Sequence, residues 1–202
     1  MKIKRGETDV KINVSFAACM TCMLILDESG VGAVAVFCCF IHEAAHLLCM
    51  LSVGEKPALI ELSFYGIKLE RRAIGSGKYN TAVYAAGPAA NILLWAALCI
   101  CFPHNQSVKN AAVSSLAIGL FNLIPCRPLD GGNILYELLC RFMPEEKADG
   151  ICDAAVYVFL APLAVFGAFS AVVYGNVTVG GVAVYLAAVS FFDKREKGTV
   201  KL

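Results

Sequence analysis

Apolar residues run along this chain in blocks of membrane-span length, separated by short polar or charged stretches. Six blocks stand out, at 10–26, 31–53, 79–102, 110–124, 152–174 and 177–192. A helix needs about 20 mostly apolar residues to cross a bilayer, so the pattern predicts an all-α polytopic membrane protein with about six transmembrane helices. The blocks at 110–124 and 177–192 are short for a full crossing, and charge placement tests the count better than hydropathy does. With six spans and both termini cytoplasmic, all but one of the 17 Lys and Arg fall on the cytoplasmic side, the exception being Lys109. That positive-inside bias sets the expected topology.

Between the second and third blocks the period changes. Ile60, Leu62 and Phe64, then Ile67 and Leu69, alternate with Glu61, Ser63, Lys68 and Glu70. A period of two predicts strand rather than helix, and Tyr65 and Gly66 stand where a tight reversal would make a short cytoplasmic-side β-hairpin. A solvated loop is the alternative reading.

Composition removes several function classes. The chain is 58% hydrophobic and 16% charged, against roughly 45–50% and about 25% in soluble domains. Its mean hydropathy of +0.68 is the opposite of the balance that disorder requires. A net charge of +1 and a pI near 7.5 predict no nucleic-acid partner. Its 202 residues fit one membrane domain, 1–202, with no appended soluble domain. The basic, apolar N-terminus has no convincing small-residue cleavage site before Asp27 and Glu28, so a retained first helix is expected. Most of the ten cysteines lie in apolar runs and are expected to be reduced packing residues, including the closely spaced Cys19 and Cys22.

The second block holds His42, Glu43, Ala44, Ala45 and His46, an H-E-x-x-H sequence. On a helix the two histidines stand about 40° apart and roughly 6 Å along the axis, so both imidazoles address one metal. Glu43 beside them is placed to take a proton from an attacking water. Ionisable groups inside a bilayer helix are expensive, which favours function over a merely bracing polar cluster. Counted back from Val53, the histidines lie about 10 to 16 Å inside, in the cytoplasmic half of the bilayer.

Catalytic zinc takes three protein ligands and keeps one position open. His104 follows Pro103 in a loop assigned to the opposite face, which argues against it. A carboxylate from the cytoplasmic side is therefore expected. The stretch N-L-I-P-C-R-P-L-D-G-G, 122–132, presents Asp130 from an irregular turn broken by two prolines and two glycines, a form tolerated at membrane depth only where it is buried or lines a wet cavity. An ordinary turn with a capping aspartate is the other reading. Glu137 is the reserve ligand.

These two motifs, with Gly87, Pro88 and Asn91 in the third block, resemble the site-2 proteases, zinc metalloproteases that cut substrates within or near the membrane. The similarity covers about 31–132. It implies one zinc per chain on His42, His46 and Asp130, with Glu43 as general base, Asn122 close to the site and Asn91 facing the same interior. Residues Ile60, Leu62 and Phe64 resemble the membrane-edge strand thought to hold extended substrate. The compact core is similar to the sporulation sigma-factor-processing group, without its C-terminal regulatory domain and without a PDZ-like insertion. Ala45 stands where many members have glycine. The resemblance implies regulated proteolysis, of a transcription-factor precursor or an anti-sigma factor, in a bacterial plasma membrane with a regulatory membrane partner.

The rival class is a catalytically silent membrane scaffold that binds a partner protein, against which the intact Glu43 argues. A metal transporter would spread polar ligands over several spans, and the last two blocks hold almost none.

Overall fold

The computed structural model describes residues 2–5, 8–12, 21, 27, 30–54, 57–63, 66–71, 79–127, 129–177, 179–188 and 190, the strands by their backbone. In chain order these form β1 (Lys2–Arg5), β2 (Thr8–Ile12), α1 (Val31–Ser52), β3 (Pro57–Ser63), β4 (Gly66–Arg71), α2 (Asn80–Cys101), α3 (Gln106–Asn122), α4 (Asp130–Leu139) and α5 (Glu145–Tyr174). A shorter apolar helix, α6 (Val179–Ala188), follows. Contacts divide the chain into two compact units, Met1–Leu120 and Phe121–Leu202.

In the first unit the strands form one sheet in the order β1-β2-β3-β4. Strands β3 and β4 pair antiparallel on the stretch where alternation predicts a hairpin, with Ile60 opposite Leu69 and Leu62 opposite Ile67. The sheet is wider than that hairpin. Strand β2 lies parallel to β3, Val10 opposite Ile60 and Ile12 opposite Leu62, so β3 is interior, and among the described residues β1 and β4 are the edge strands. This also corrects the start of the first apolar block. Val10 and Ile12 alternate with Asp9 and Lys11, and that period-two pattern makes strand β2 rather than the opening turn of a membrane helix. The remainder of that block lies almost wholly outside the described residues, as does Phe64.

Helix α1 starts where Asp27 Oδ2 accepts from the backbone N–H groups of Gly32 (2.7 Å) and Ala33 (3.2 Å), occupying donors that no preceding turn can pair. It ends at Gly54, whose φ of 80° is the left-handed conformation that glycine adopts freely. Its buried residues are Cys38, His42, His46 and Met50, one every fourth position, while Phe37, Phe40 and Leu48 are exposed. Helix α2 buries Val83, Gly87, Pro88 and Asn91, and its stripe faces that of α1 in antiparallel order, His46 meeting Val83 and His42 meeting Asn91. Helix α3 adds Ala112, Ser115 and Gly119.

The second unit is built around Cys126, Leu129, Val156 and Leu186, with Phe121, Ile124 and Leu160 packed against them. Helices α5 and α6 come together at glycines: a Cβ on Gly167 would lie 2.7 Å from the Gly180 Cα, the close approach that small residues allow between membrane helices.

Among the described residues α1, α2 and α5 are long and apolar enough to cross a membrane. Their outer faces carry exposed Phe40, Leu93, Val165 and Val172, which suits lipid contact. Helix α5 begins at Glu145, seven residues before the apolar block that predicted it.

Candidate metal centre

Spacing alone brings the two histidines of α1 to one face, and neighbouring helices of the same unit then fix their rings. His42 is 3% exposed and His46 6%. Their Nε2 atoms lie 3.1 Å apart, with the rings edge to face. Two nitrogens on one tetrahedral zinc, each at 2.0–2.1 Å, stand about 3.3 Å apart. The pair is set almost at that separation.

His46 Nδ1 lies 2.7 Å from the carbonyl oxygen of Val83. A carbonyl only accepts, so this Nδ1 carries the proton and Nε2 presents a bare lone pair, the form that binds a metal. Gly87 clears the space in front of both nitrogens. A Cβ there would lie 2.3 Å from His46 Nε2 and 2.7 Å from His42 Nε2. Only glycine fits.

Asn91 is fully buried, with Nδ2 3.4 Å from His42 Nδ1. It is held in turn by α3, where Ser115 Oγ donates to its backbone oxygen at 2.9 Å. Gly119 brings α3 close, since a Cβ there would lie 3.2 Å from both the Asn91 Cβ and the Pro88 oxygen. Glu43, one residue along α1, is half-buried. His104 is exposed in the loop between α2 and α3, as its sequence position suggests.

In the second unit, Asp130 is the first residue of α4 and half-buried. The turn before it is tied by backbone bonds from Cys126 N to Ile124 O (2.7 Å) and from Leu129 N to Cys126 O (2.8 Å). Both glycines after Asp130 are required by close packing on that turn. A Cβ on Gly131 would meet Leu123 O at 2.2 Å, and one on Gly132 would meet the Cys126 carbonyl at 2.3 Å. Asn122 ends α3. Glu137 lies two turns along α4 from Asp130.

Arg127 was not singled out by its position in the sequence. Its guanidinium pairs with Asp149 of α5 and lies 4.0 Å over the Tyr136 ring of α4, so one side chain ties the turn to two helices. Burial, then the hydrogen bond with Cys140, pushes the Tyr136 phenol up to about 12. Burial also pushes the Cys126 thiol up, which makes it a packing group rather than a reactive one. Of the strand positions suggested for substrate, Ile60 and Leu62 lie in β3, already paired on both sides.

Residues 103–163 match the model of peptidase family M50. The chain is 32% identical over 115 residues to sll0528 of Synechocystis sp., a protein bearing the name of a zinc metalloprotease, across 52% of this chain and 30% of that protein. It is 28% identical over 114 residues to stage IV sporulation protein FB of Bacillus subtilis, across 54% of this chain and 40% of that one. Each match thus spans less than half of the curated relative. The fold is similar to that of a site-2 protease from Methanocaldococcus jannaschii, with a TM-score of 0.68 at 20% identity over 94% of this chain and 93% of the other.

Proposed function

We propose that this chain, a relative of the site-2 proteases by sequence and by fold, is an intramembrane zinc metalloendopeptidase acting on membrane-embedded or membrane-associated proteins. The observation that carries the reading is the buried His42 and His46 pair, its Nε2 atoms 3.1 Å apart in front of a glycine whose side chain would fill the space they address. That donor geometry fits zinc. Asp130 is assigned as the third ligand: it is a carboxylate held at a fixed helix start within the stretch that matches the peptidase family. Zinc, when bound, supplies the Lewis acidity that polarises a scissile carbonyl.

The chain's own residues do the rest. Glu43 accepts the proton of the attacking water and then delivers it to the leaving amine, as a general base and acid in turn. His46 is kept in its metal-binding tautomer by Val83. Asn122 and Asn91 support the site. A substrate helix has its backbone hydrogen bonds internally paired and must unwind before attack. The sheet offers a place for the unwound segment by strand addition, and since β3 is interior we assign that role to β4, an edge strand among the described residues. The protein is placed in a bacterial plasma membrane, with both termini cytoplasmic and six spans.

The deciding experiment pairs zinc quantification with cleavage of a single-span membrane substrate by the purified protein and its Glu43→Gln variant. One zinc in each and cleavage by the wild type alone supports the reading. Zinc in both with cleavage by neither leaves the silent scaffold instead.

A further inference from the structure

The register of the sheet sorts its residues by chemistry. Directly opposed residues of neighbouring strands share a face, and successive residues of one strand alternate between faces. Ile3 is opposite Val10, Val10 opposite Ile60 and Ile60 opposite Leu69, which makes one apolar row from β1 to β4. Ile12, Leu62 and Ile67 make a second row on the same face. The other face is mostly charged. There Lys11 is opposite Glu61 and Glu61 opposite Lys68, while Lys4 is opposite Asp9, Asp9 opposite Leu59 and Leu59 opposite Glu70.

Signs alternate along these rows. Lys4 and Asp9, Lys11 and Glu61, and Glu61 and Lys68 are opposed in unlike pairs, and the like pair, Lys2 and Lys11, lies at β1. Unlike charges directly opposed across strands stabilise a sheet and like charges destabilise it. Strand β4, an edge strand among the described residues, therefore places Ile67 and Leu69 on the apolar face and Lys68 and Glu70 on the charged one. A strand added beside it continues the alternation only with an acidic residue opposite Lys68 and a basic one opposite Glu70.

We propose that β4 selects its extended substrate by this two-faced pattern: apolar residues at every second position, in line with Ile67 and Leu69, and between them an acidic residue opposite Lys68 or a basic one opposite Glu70. The proposal deepens the protease reading and rests on it for the nature of the occupant. Main-chain hydrogen bonds supply affinity in strand addition whatever the sequence, so alternate side chains carry the choice. Position matters as much as composition, because a shift of one residue moves every side chain of the added strand to the other face.

The test is binding of dye-labelled synthetic peptides to the purified full-length protein in detergent, read by fluorescence anisotropy in a Glu43→Gln background that keeps the peptides whole. The peptides carry valine at every second position and serine between, with one central serine replaced by glutamate or by lysine. Both should bind, each finding its partner on β4. Lys68→Glu should weaken the glutamate peptide about 2- to 5-fold and spare the lysine peptide, and Glu70→Lys should do the reverse. Lys147→Glu, an equal change of charge on the exposed start of α5, should alter neither. Moving the glutamate by one position, in place of a valine, should weaken binding about 10-fold or more. Equal effects of each variant on both peptides would overturn the proposal, as would a moved glutamate that binds as well, or no binding by any peptide. Lys68→Glu sets like charges opposite Glu61; if it does not fold, Glu70→Lys, opposite Leu59, still decides. These readouts need no hydrolysis. Pattern-dependent binding by a wild-type protein that cleaves nothing would sink the protease reading, whereas cleavage indifferent to the pattern would sink this one alone.

Discussion

At the scale of single residues, the pairing of His42 with His46 was legible where it depends on local spacing and hidden where it depends on another helix. His42 and His46 follow from a four-residue interval on one helix face. That Val83 supplies a carbonyl to His46 follows from nothing in its side chain, since any residue at that register offers the same oxygen. Gly87 has the sharper consequence. Gly87→Ala should fold, because alanine is the better helix former, yet its Cβ would stand 2.3 Å from His46 Nε2. We expect unchanged helicity by circular dichroism and less than a tenth of the zinc by elemental analysis, and a full zinc complement would show that the two rings do not face this glycine. Glu43→Gln separates binding from chemistry. The amide keeps the volume without the proton affinity, so zinc should stay at one per chain while cleavage falls about 100- to 10,000-fold.

At the scale of elements, the turn that presents Asp130 depends on Arg127, which pairs with Asp149 and covers Tyr136. Asp149 is 39% exposed, so solvent screens the ion pair and the contact with the ring carries much of the effect. Arg127→Met should cost about 1–2 kcal/mol of stability, and a double-mutant cycle with Asp149→Asn should return a coupling under about 1 kcal/mol. A larger coupling would mean the pair is shielded from solvent. Tyr136 adds a pH dependence. Its pKa rises from 10.0 to about 12 on folding, so the folded state holds the proton more tightly than the unfolded one. That contribution is complete below pH 10 and is lost as pH rises toward 12. Thermal melts across this range should show a shallower alkaline decline for Tyr136→Phe than for the wild type, and parallel curves would remove the phenol from the account. The sheet shows what alternation leaves out: period two marks β3 as a strand but says nothing about its neighbours. Strand β2 comes from the N-terminal end and takes one edge of β3, so the substrate pairing we propose moves to β4. Lys68 and Leu69 are successive residues whose N–H groups point to opposite sides, so proline at the one with its N–H on the outer edge should impair cleavage with the β3–β4 pairing intact, whereas proline at the other removes a β3–β4 hydrogen bond and should destabilise the sheet itself. Cleavage of a membrane-embedded substrate compared with a short extended peptide reads this out.

At the scale of the whole molecule, the long apolar helices were legible because their composition is extreme over more than 20 residues, and α1, α2 and α5 are all of crossing length. The short blocks were not, because 17 residues in α3 and the still shorter α6 reach that length neither by count nor by apolar run. Charge is the stronger guide to orientation. Lys109 stands alone in the loop and first turn after α2, while the other basic residues cluster on the segments assigned to the cytoplasm. Residue 105 in that loop and residue 147 in the first turn of α5 are both exposed, so each can report its side of the membrane. In a background with all ten cysteines replaced by alanine, Asn105→Cys should react with a membrane-impermeant maleimide added to intact cells, and Lys147→Cys only after the membrane is opened. The opposite pattern would invert the topology and put the His42 and His46 pair in the outer half of the bilayer. Labelling of both from one side would require an even number of crossings between them, so that α3 and the turn before Asp130 return the chain to the face it left. The six-span count would then fall, whichever way the termini point.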